Sequence, residues 1–109
     1  MSRNLPSPSP AELMQANAVA ASDLLKAMAN PQRLRVLCLL IEGELSVGEI
    51  NSRIGLSQSA LSQHLAVLRE EKLVSARREG LAVYYAVADG TVHDIIDALH
   101  RNFCAPKGA

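Results

Sequence analysis

The chain has 109 residues, a formal net charge of zero and an apolar content of 49%. This length accommodates one domain, and the composition is that of a globular rather than a disordered chain. Zero net charge argues against a polybasic tail that would bind any polyanion, although it is compatible with a local basic face. Residues 51 to 80 hold five cations and three anions, so this stretch carries +2 and the remainder −2.

The first ten residues, MSRNLPSPSP, contain three prolines and no apolar run, which is typical of a disordered lead-in rather than a signal peptide. Nowhere does the sequence reach the ~18 consecutive apolar residues that a membrane span requires. We therefore expect a cytoplasmic protein with no membrane association, in a compartment where thiols stay reduced. One domain is predicted over residues 11–104, with a short tail at 105–109.

Helices dominate the first part of this domain. An Ala-rich helix is predicted over residues 11–29. Asn30 and Pro31 then restart the chain, because Asn is a favoured cap and Pro is tolerated at the first helical position. The helix that follows, over 31–42, is apolar on most sides and is expected to be central and mostly buried.

Two further helices are predicted to be joined by a tight turn. The residues from Ser46 to Glu49 match a capping box, which opens a short helix that ends near Ile54. Gly55 stops this helix, and the next one is expected over 57–71. Two short helices joined in this way form a helix-turn-helix pattern.

The last part of the chain changes to strand chemistry and then returns to a helix. The stretch LVSARREGLAVYYAV, residues 73–87, holds two β-rich runs around Glu79 and Gly80, which predicts a hairpin. Asp89 is expected to cap a final helix that runs to about Cys104. The predicted fold class is mainly α with a β-hairpin wing, a winged helix-turn-helix.

The second helix of the helix-turn-helix carries an unusual polar face. At 100° per residue, Leu61, Leu65 and Leu68 form its apolar stripe. The exposed face is expected to hold six residues, in angular order Gln58, Arg69, Ser62, Ala66, Ser59 and Gln63. Such slim and mostly uncharged side chains can enter a major groove without repelling phosphates, and the amides can pair with base edges. The alternative is a polar surface without function.

Three arginines surround this face in the predicted fold. Arg77 and Arg78 near the hairpin tip suit phosphates or the minor groove, and Arg69 stands at the far end of the helix. His64 falls on the flank of the apolar stripe, which favours a structural or phosphate-contacting role over base reading. The candidate DNA-binding residues are therefore Gln58, Ser59, Ser62, Gln63, His64, Arg69, Arg77 and Arg78.

Long stretches of the chain resemble the ArsR/SmtB family of winged-helix repressors. The resemblance rests on LLKAMANPQRLRVLCLL, ELSVGEI and LSQSALSQHLAVLREEKLV, and with the wing and last helix it extends from about Ala18 to Cys104. It implies a homodimer that is assembled through the first and last helices and binds double-stranded DNA at an imperfect palindromic operator. No cofactor is predicted.

An apolar stripe on the last helix supports the dimer independently. A small winged domain has little core left to cover such a stripe, and a symmetric dimer covers it economically. The alternative is that the stripe packs within one subunit. The predicted interface residues are Val92, Ile95, Ile96, Leu99 and Phe103.

The metal sites of that family are not matched here. Where metal-sensing members carry cysteines at a helix opening, this chain has Ser46 and Gly48. His93 and His100 lie ~10.5 Å apart along one helix, too far to share one ion within a subunit. We therefore predict no metal ligands, and a metal-responsive repressor with an inter-subunit His/Cys site on the last helix is the alternative function.

Two cysteines remain, and their surroundings resemble the persulfide-sensing, BigR/SqrR/HlyU-like branch of the family. The matching stretches are MANPQRLRVLC, which ends at Cys38, and HRNFC, which ends at Cys104. The resemblance implies a thiol switch, in which reactive sulfur species or an oxidant link the two cysteines and release the DNA. Two ordinary buried cysteines are the alternative, which explains Cys104 poorly because it lies beside His100 at the polar edge of its helix.

Enzymatic activity is not expected. Ser62 and His64 lie on different sides of one helix, so they cannot act as nucleophile and base. The sequence has no Cys-x-x-Cys motif and no glycine-rich phosphate loop. A protein-interaction module that antagonises other DNA-binding proteins shares the fold and is the third class considered.

Overall fold

The computed structural model describes residues 6–104. Residues 1–5 of the predicted lead-in and the predicted tail at 105–109 lie outside this range. None of the described helices is both long and apolar enough to cross a membrane. The elements are α1 (Pro10–Met28), α2 (Pro31–Leu40), β1 (Leu45–Ser46), α3 (Val47–Ile54), α4 (Gln58–Glu70), β2 (Val74–Glu79), β3 (Ala82–Val87), α5 (Thr91–Leu99) and a π-helical turn (His100–Cys104).

Helix α1 begins one residue earlier than expected. The hydroxyl of Ser9 accepts a hydrogen bond from the backbone N–H of Glu12 at 3.1 Å, and Pro10 occupies the first helical position. Ser9 and Pro10, assigned to the lead-in, therefore form the start of the helix. Only the end of α1 reaches the core, through Ala27 and Met28. Leu24 is half-buried against the core, and the other large apolar side chains of α1 are exposed: Leu13, Met14, Val19 and Leu25.

The core of the subunit forms around α2. The side-chain oxygen of Asn30 accepts hydrogen bonds from the backbone N–H groups of Gln32 and Arg33 at 2.9 and 3.1 Å, which confirms the predicted cap. The apolar residues that follow are almost completely buried: Val36, Leu37 and Leu40. Since α2 packs against α3, α4, α5 and β3, it fixes the positions of all these elements.

The helix-turn-helix is formed by α3 and α4 as the sequence predicts. Both hydrogen bonds of the capping box between Ser46 and Glu49 are present. Gly55 ends α3 with a φ of +74°, a left-handed conformation that favours glycine. The hydroxyl of Ser57 then accepts a hydrogen bond from Ala60 and caps α4.

The wing is a three-stranded antiparallel sheet in the order β1-β3-β2, one strand more than expected. The predicted hairpin is present, with Glu79 paired to Ala82 around a two-residue loop that begins at Gly80, φ +60°. The additional strand β1 has two residues, and its Leu45 pairs with Tyr85. A strand of this length has no alternating pattern, so the sequence does not reveal it.

The start and end of the last helix differ from the prediction. Asp89 is not the cap, because the cap residue of α5 is Gly90 and no side chain accepts a hydrogen bond there. Gly90 has a φ of +85°, which a glycine adopts without strain. The α-helix ends at Leu99, and the chain reaches Cys104 through the wider π-helical turn.

The predicted interface stripe is divided between two environments. Val92 and Ile96 are 6% and 0% exposed within the single subunit, so assigning them to a dimer interface was wrong. Their side of α5 packs into the subunit core, the alternative that the sequence left open. Ile95 and Leu99 are half-buried, whereas Phe103 on the π-helical turn is 82% exposed.

Candidate nucleic-acid interface and thiol pair

Helix α4 presents the predicted polar face to the surface. The six residues of this face, here called the reading face, are all exposed: Gln58, Ser59, Ser62, Gln63, Ala66 and Arg69. The opposite stripe of Leu61, Leu65 and Leu68 is at most 3% exposed and attaches α4 to the core. His64 is half-buried between the two sides, as its angular position predicts.

The two wing arginines have different surroundings. Arg77 donates hydrogen bonds from Nε to both carboxylate oxygens of Glu44 at 3.0 Å, and from a terminal nitrogen to Glu79 at 2.7 Å. Its guanidinium also lies 4.7 Å from the ring centre of Tyr84. Arg78 is exposed, and its side chain has no hydrogen-bond or ion-pair partner among residues 6–104. Of the two wing cations, Arg78 is therefore the one whose charge is available to a ligand.

The partnership of Arg77 was not foreseen because Glu44 lies 33 residues away in sequence. Glu44 belongs to the turn before β1, the strand that sequence analysis missed. The contact with Arg77 holds the pKa of Glu44 below its usual value, mainly through the side-chain hydrogen bond. Arg77 thus ties the wing to this turn, a positioning role that the sequence did not indicate.

The two cysteines, 66 residues apart in sequence, meet where α2 faces the end of the chain. Both are free thiols; Cys38 is half-buried against the core and Cys104 is exposed. Burial raises the pKa of Cys38 to about 12, with further contributions from a hydrogen bond to Cys104 and from its charge. Cys38 is therefore a protonated thiol at neutral pH, and it lies beside Cys104 in the lining of the same cavities.

Two adjoining cavities share this thiol pair. One, of about 400 Å³, is apolar and is lined by Leu34, Arg35, Cys38, Leu99, Phe103 and Cys104. The other, of about 270 Å³, lies towards α3 and includes both cysteines with Arg35, Glu42 and Arg53. The arginine that lines both cavities, Arg35, donates a hydrogen bond to the carbonyl of Ile54 at 3.1 Å. Arg35 thereby joins the thiol site to the last residue of α3.

The described histidines do not build a metal site. His100 directs Nε2 towards a carboxylate oxygen of Glu42 at 3.1 Å, and His93 is exposed on α5. Among residues 6–104, no three His, Cys, Asp or Glu side chains are grouped closely enough to hold an ion. His100 and Glu42 lie four residues before Cys104 and four residues after Cys38 in sequence, so the two pairs are neighbours between the turn after α2 and the π-helical turn.

A helix-turn-helix with a sheet wing and an exposed polar second helix defines a winged helix-turn-helix DNA-binding regulator. Residues 30–76 match the model of the bacterial regulatory protein family arsR. The chain is 53% identical over 91 residues to the transcriptional activator HlyU of Vibrio cholerae serotype O1, which covers 84% of each protein. The chain belongs to the ArsR family of DNA-binding transcriptional regulators, which are not enzymes.

Further similarities agree with this assignment. The chain is 41% identical over 98 residues to the biofilm growth-associated repressor of Agrobacterium fabrum, covering 90% of this chain and 84% of the relative. The structure of reduced HlyU from Vibrio cholerae N16961 superposes with a TM-score of 0.80 at 52% identity, over 85% of this chain and 98% of that one. The repressor BigR from Xylella fastidiosa superposes with a TM-score of 0.81 at 40% identity, over 91% and 99%.

The unequal surroundings of the two thiols predict unequal reactivity. At pH 8 and low iodoacetamide, we expect Cys104 to be alkylated at least tenfold faster than Cys38, because a thiol with a pKa of about 12 presents little thiolate. Mass spectrometry of tryptic peptides over time measures both rates. In Cys104→Ser, Cys38 is expected to stay slow, since burial is the largest cause of its raised pKa. Equal rates in the wild type would contradict this picture of the site.

Proposed function

We propose that this protein is a homodimeric transcriptional repressor of the cytoplasm that binds a palindromic operator when reduced. Linkage of Cys38 and Cys104 by reactive sulfur species or an oxidant releases the DNA. The observation that carries the proposal is that the two thiols line the same two cavities, where α2 faces the π-helical turn. The relatives include proteins named as an activator and as a repressor, so the quantity to be tested is DNA affinity.

The reading face supports sequence-specific DNA binding. Its exposed side chains have no net negative charge, and α4 is short enough to lie within one major groove. In the proposed complex, Gln63, Gln58, Ser59 and Ser62 contact base edges, while Arg69, Arg78 and His64 contact the backbone. Arg77 keeps its proposed contact with phosphate. It also holds the wing in position, because its guanidinium is paired with the carboxylates of Glu44 and Glu79.

Gln63→Ala tests the base-reading role. We expect a loss of roughly 1–3 kcal/mol in specific binding and relaxed selectivity at one position of each half-site, because an amide pairs bidentately with adenine. Fluorescence anisotropy with single-base operator variants measures this. Arg78→Ala is the matched phosphate variant and should weaken all sequences alike while lowering the salt dependence. If Gln63→Ala instead changes only the salt slope, the reading face is assigned incorrectly.

Surface composition supports the dimer. Helix α1 leaves Leu13, Met14, Val19 and Leu25 exposed, and Phe103 is exposed on the π-helical turn. The radius of gyration of 17.3 Å exceeds the ~13 Å expected of a compact domain of this size. Association with a second copy would stabilise such a subunit, because it would bury the exposed apolar side chains of the first and last helices in both subunits.

Phe103→Asp tests this interface without disturbing the core. We expect it to shift the sedimentation equilibrium from dimer towards monomer and to weaken operator binding at least tenfold, because the two half-sites are then bound independently. Circular dichroism should be unchanged, since Phe103 is 82% exposed. Ile96→Asp is the contrasting variant, which should unfold the subunit because Ile96 is fully buried. A wild-type protein that is monomeric at micromolar concentration would exclude the proposal.

The chemistry of the switch can be written for an inorganic tetrasulfide dianion. Cys104, the exposed thiol, attacks an inner sulfur as thiolate and expels the terminal sulfur. Cys38 then attacks the resulting cysteine-bound chain and expels its terminal sulfur in turn. Overall, two thiols and one S₄²⁻ give a bridge with two inserted sulfur atoms and two HS⁻ ions, so that both thiol protons leave with the released sulfide. The cysteines are oxidised, and the two expelled sulfur atoms are reduced.

Inserted sulfur atoms would favour sulfane-sulfur donors over peroxide where the two cysteines lie too far apart for a direct disulfide. A direct disulfide demands Cα atoms within ~7 Å and a narrow torsion range, whereas a longer sulfur chain spans a wider gap. The bridge would join the end of the last helix to α2, which supports α3 and α4. Formation of the bridge would shift α2 relative to the last turn of the chain. The hydrogen bond from Arg35 of α2 to Ile54 would carry such a shift from the thiol site to the turn of the helix-turn-helix.

The switch is tested with reduced protein and sodium tetrasulfide. We expect wild-type operator affinity to fall at least tenfold, whereas Cys38→Ser and Cys104→Ser bind DNA like the reduced wild type and do not respond. Mass spectrometry should find a peptide pair containing both cysteines, heavier than a disulfide by whole sulfur masses. Unchanged affinity despite this cross-link would reject the mechanism, and release by zinc alone would favour the metal-responsive alternative.

A further inference from the structure

The cavity towards α3 brings two arginines beside the thiol pair. Arg35 donates to the side chain of Gln32 at 2.6 Å and to the carbonyl of Ile54 at 3.1 Å, and both partners are uncharged. Arg53, from the last turn of α3, lines the same 270 Å³ cavity. Neither guanidinium has a carboxylate within ion-pair distance among residues 6–104. Glu49 on the same helix lies near enough to interact electrostatically with Arg53, but no carboxylate of the described residues holds either guanidinium in an ion pair, so both can contact a ligand.

The remaining charged group of the cavity does not cancel them. Glu42 also lines it, but its carboxylate is directed towards His100 at 3.1 Å. The formal charge around the cavity is thus +1 with His100 neutral. Arg101 on the π-helical turn differs from these two arginines, because it is paired with Asp97 at 3.3 Å. Two guanidinium groups that lie beside the cysteines without ion-pair partners attract anions to this site.

We propose that Arg35 and Arg53 form an anion subsite that recruits negatively charged sulfane-sulfur donors to Cys38 and Cys104. This assignment rests on the thiol switch proposed above and names the class of molecule that operates it. The donor's anionic end lies at the guanidinium groups, which places its sulfur atoms beside the thiols. Because Cys104 lines both cavities, the sulfur chain can extend from this subsite into the apolar one next to Leu34 and Phe103.

Two sources share this chemistry, inorganic polysulfide dianions and low-molecular-weight persulfides that carry carboxylates. In either case the bond that forms first is from the sulfur of Cys104 to a donor sulfur, and the leaving group departs as an anion. Guanidinium groups stabilise both the approaching donor and this departing charge. A neutral organic trisulfide undergoes the same exchange but gains little from the subsite on approach.

The test compares reaction rates of the full-length reduced dimer with two donors. Free Cys104 is followed by rapid alkylation and mass spectrometry after addition of sodium tetrasulfide or of dimethyl trisulfide, which is uncharged. We expect Arg53→Gln to slow the tetrasulfide reaction about three- to tenfold at low salt, as loss of one unit charge near a dianion predicts. The trisulfide rate should stay within about twofold. Glutathione persulfide, used in a third series, shows whether carboxylate-bearing donors depend on the same arginine.

Three variants make the result specific. Arg53→Lys keeps the charge and should retain most of the tetrasulfide rate. Arg101→Gln is the matched control, because it removes a charge near Cys104 that Asp97 already neutralises and should change neither rate. Arg35→Gln should slow tetrasulfide as Arg53→Gln does, and it additionally removes the hydrogen bond to Ile54.

The inference is overturned if Arg53→Gln leaves the tetrasulfide rate unchanged, slows both donors equally, or has no more effect than Arg101→Gln. These outcomes differ from failure of the proposed switch. The switch fails if wild-type protein, once fully cross-linked, keeps its operator affinity, whatever the rate of cross-linking.

Discussion

The burial of α2 is the constraint on which the rest of the structure depends. Its apolar side chains, with Val36 and Leu37 fully buried, contact the helix-turn-helix, the wing and the last helix at once. Interiors are close-packed, so a helix in this position cannot shift without moving the elements that it supports. Cys38 lies on the same helix, one turn beyond Leu34. The candidate sensor and the candidate reading face are therefore connected by packed side chains rather than by a flexible linker.

The roles of the arginines depend on whether each guanidinium is paired with a carboxylate, and not on how many arginines the chain has. The net charge is zero, yet individual guanidinium groups range from fully paired to unpaired. Arg77 is held by two carboxylates and a tyrosine ring, which ties the wing to the turn before β1. Arg78, next in sequence, has an available charge near the wing tip, and Arg53 has one at the thiol cavity. An inventory of cations from the sequence cannot distinguish these cases, because pairing depends on which distant carboxylates the fold brings near.

Local sequence signals predicted the helices well. Caps at Asn30, Ser46 and Ser57 act within four residues, so their hydrogen bonds follow from the sequence alone. The angular position of the reading face followed from the helical period for the same reason. Prediction failed at Asp89, where the intervening Gly90 adopts a positive φ and takes the cap position. It also failed for β1, which exists only because Tyr85 of β3 lies beside it.

Long-range arrangements were less accessible to sequence reasoning. An apolar stripe on α5 indicates that something covers it, but not whether the cover is the same subunit or a partner. Ile96 turned out to be covered by its own subunit, and Phe103 was not. The meeting of the two cysteines followed from a family resemblance and not from their spacing of 66 residues. Arg35 and Arg53 escaped notice because each is an ordinary exposed helical cation until the cavity between α2 and α3 is seen.

The position of Cys104 explains why a small chemical change there could act on DNA binding. Cys104 lies on the π-helical turn next to exposed Phe103, at one end of the proposed dimer interface. Cys38 lies on α2, the helix that supports the reading face of α4. In the proposed dimer, the reading faces of the two α4 helices must reach successive major grooves about 34 Å apart. In the proposed switch, a bridge between Cys104 and Cys38 would change the angle between the dimer interface and helix α4. Because that angle acts over the length of the subunit, the proposed switch would let a small rotation at the thiols displace both reading faces from the grooves together.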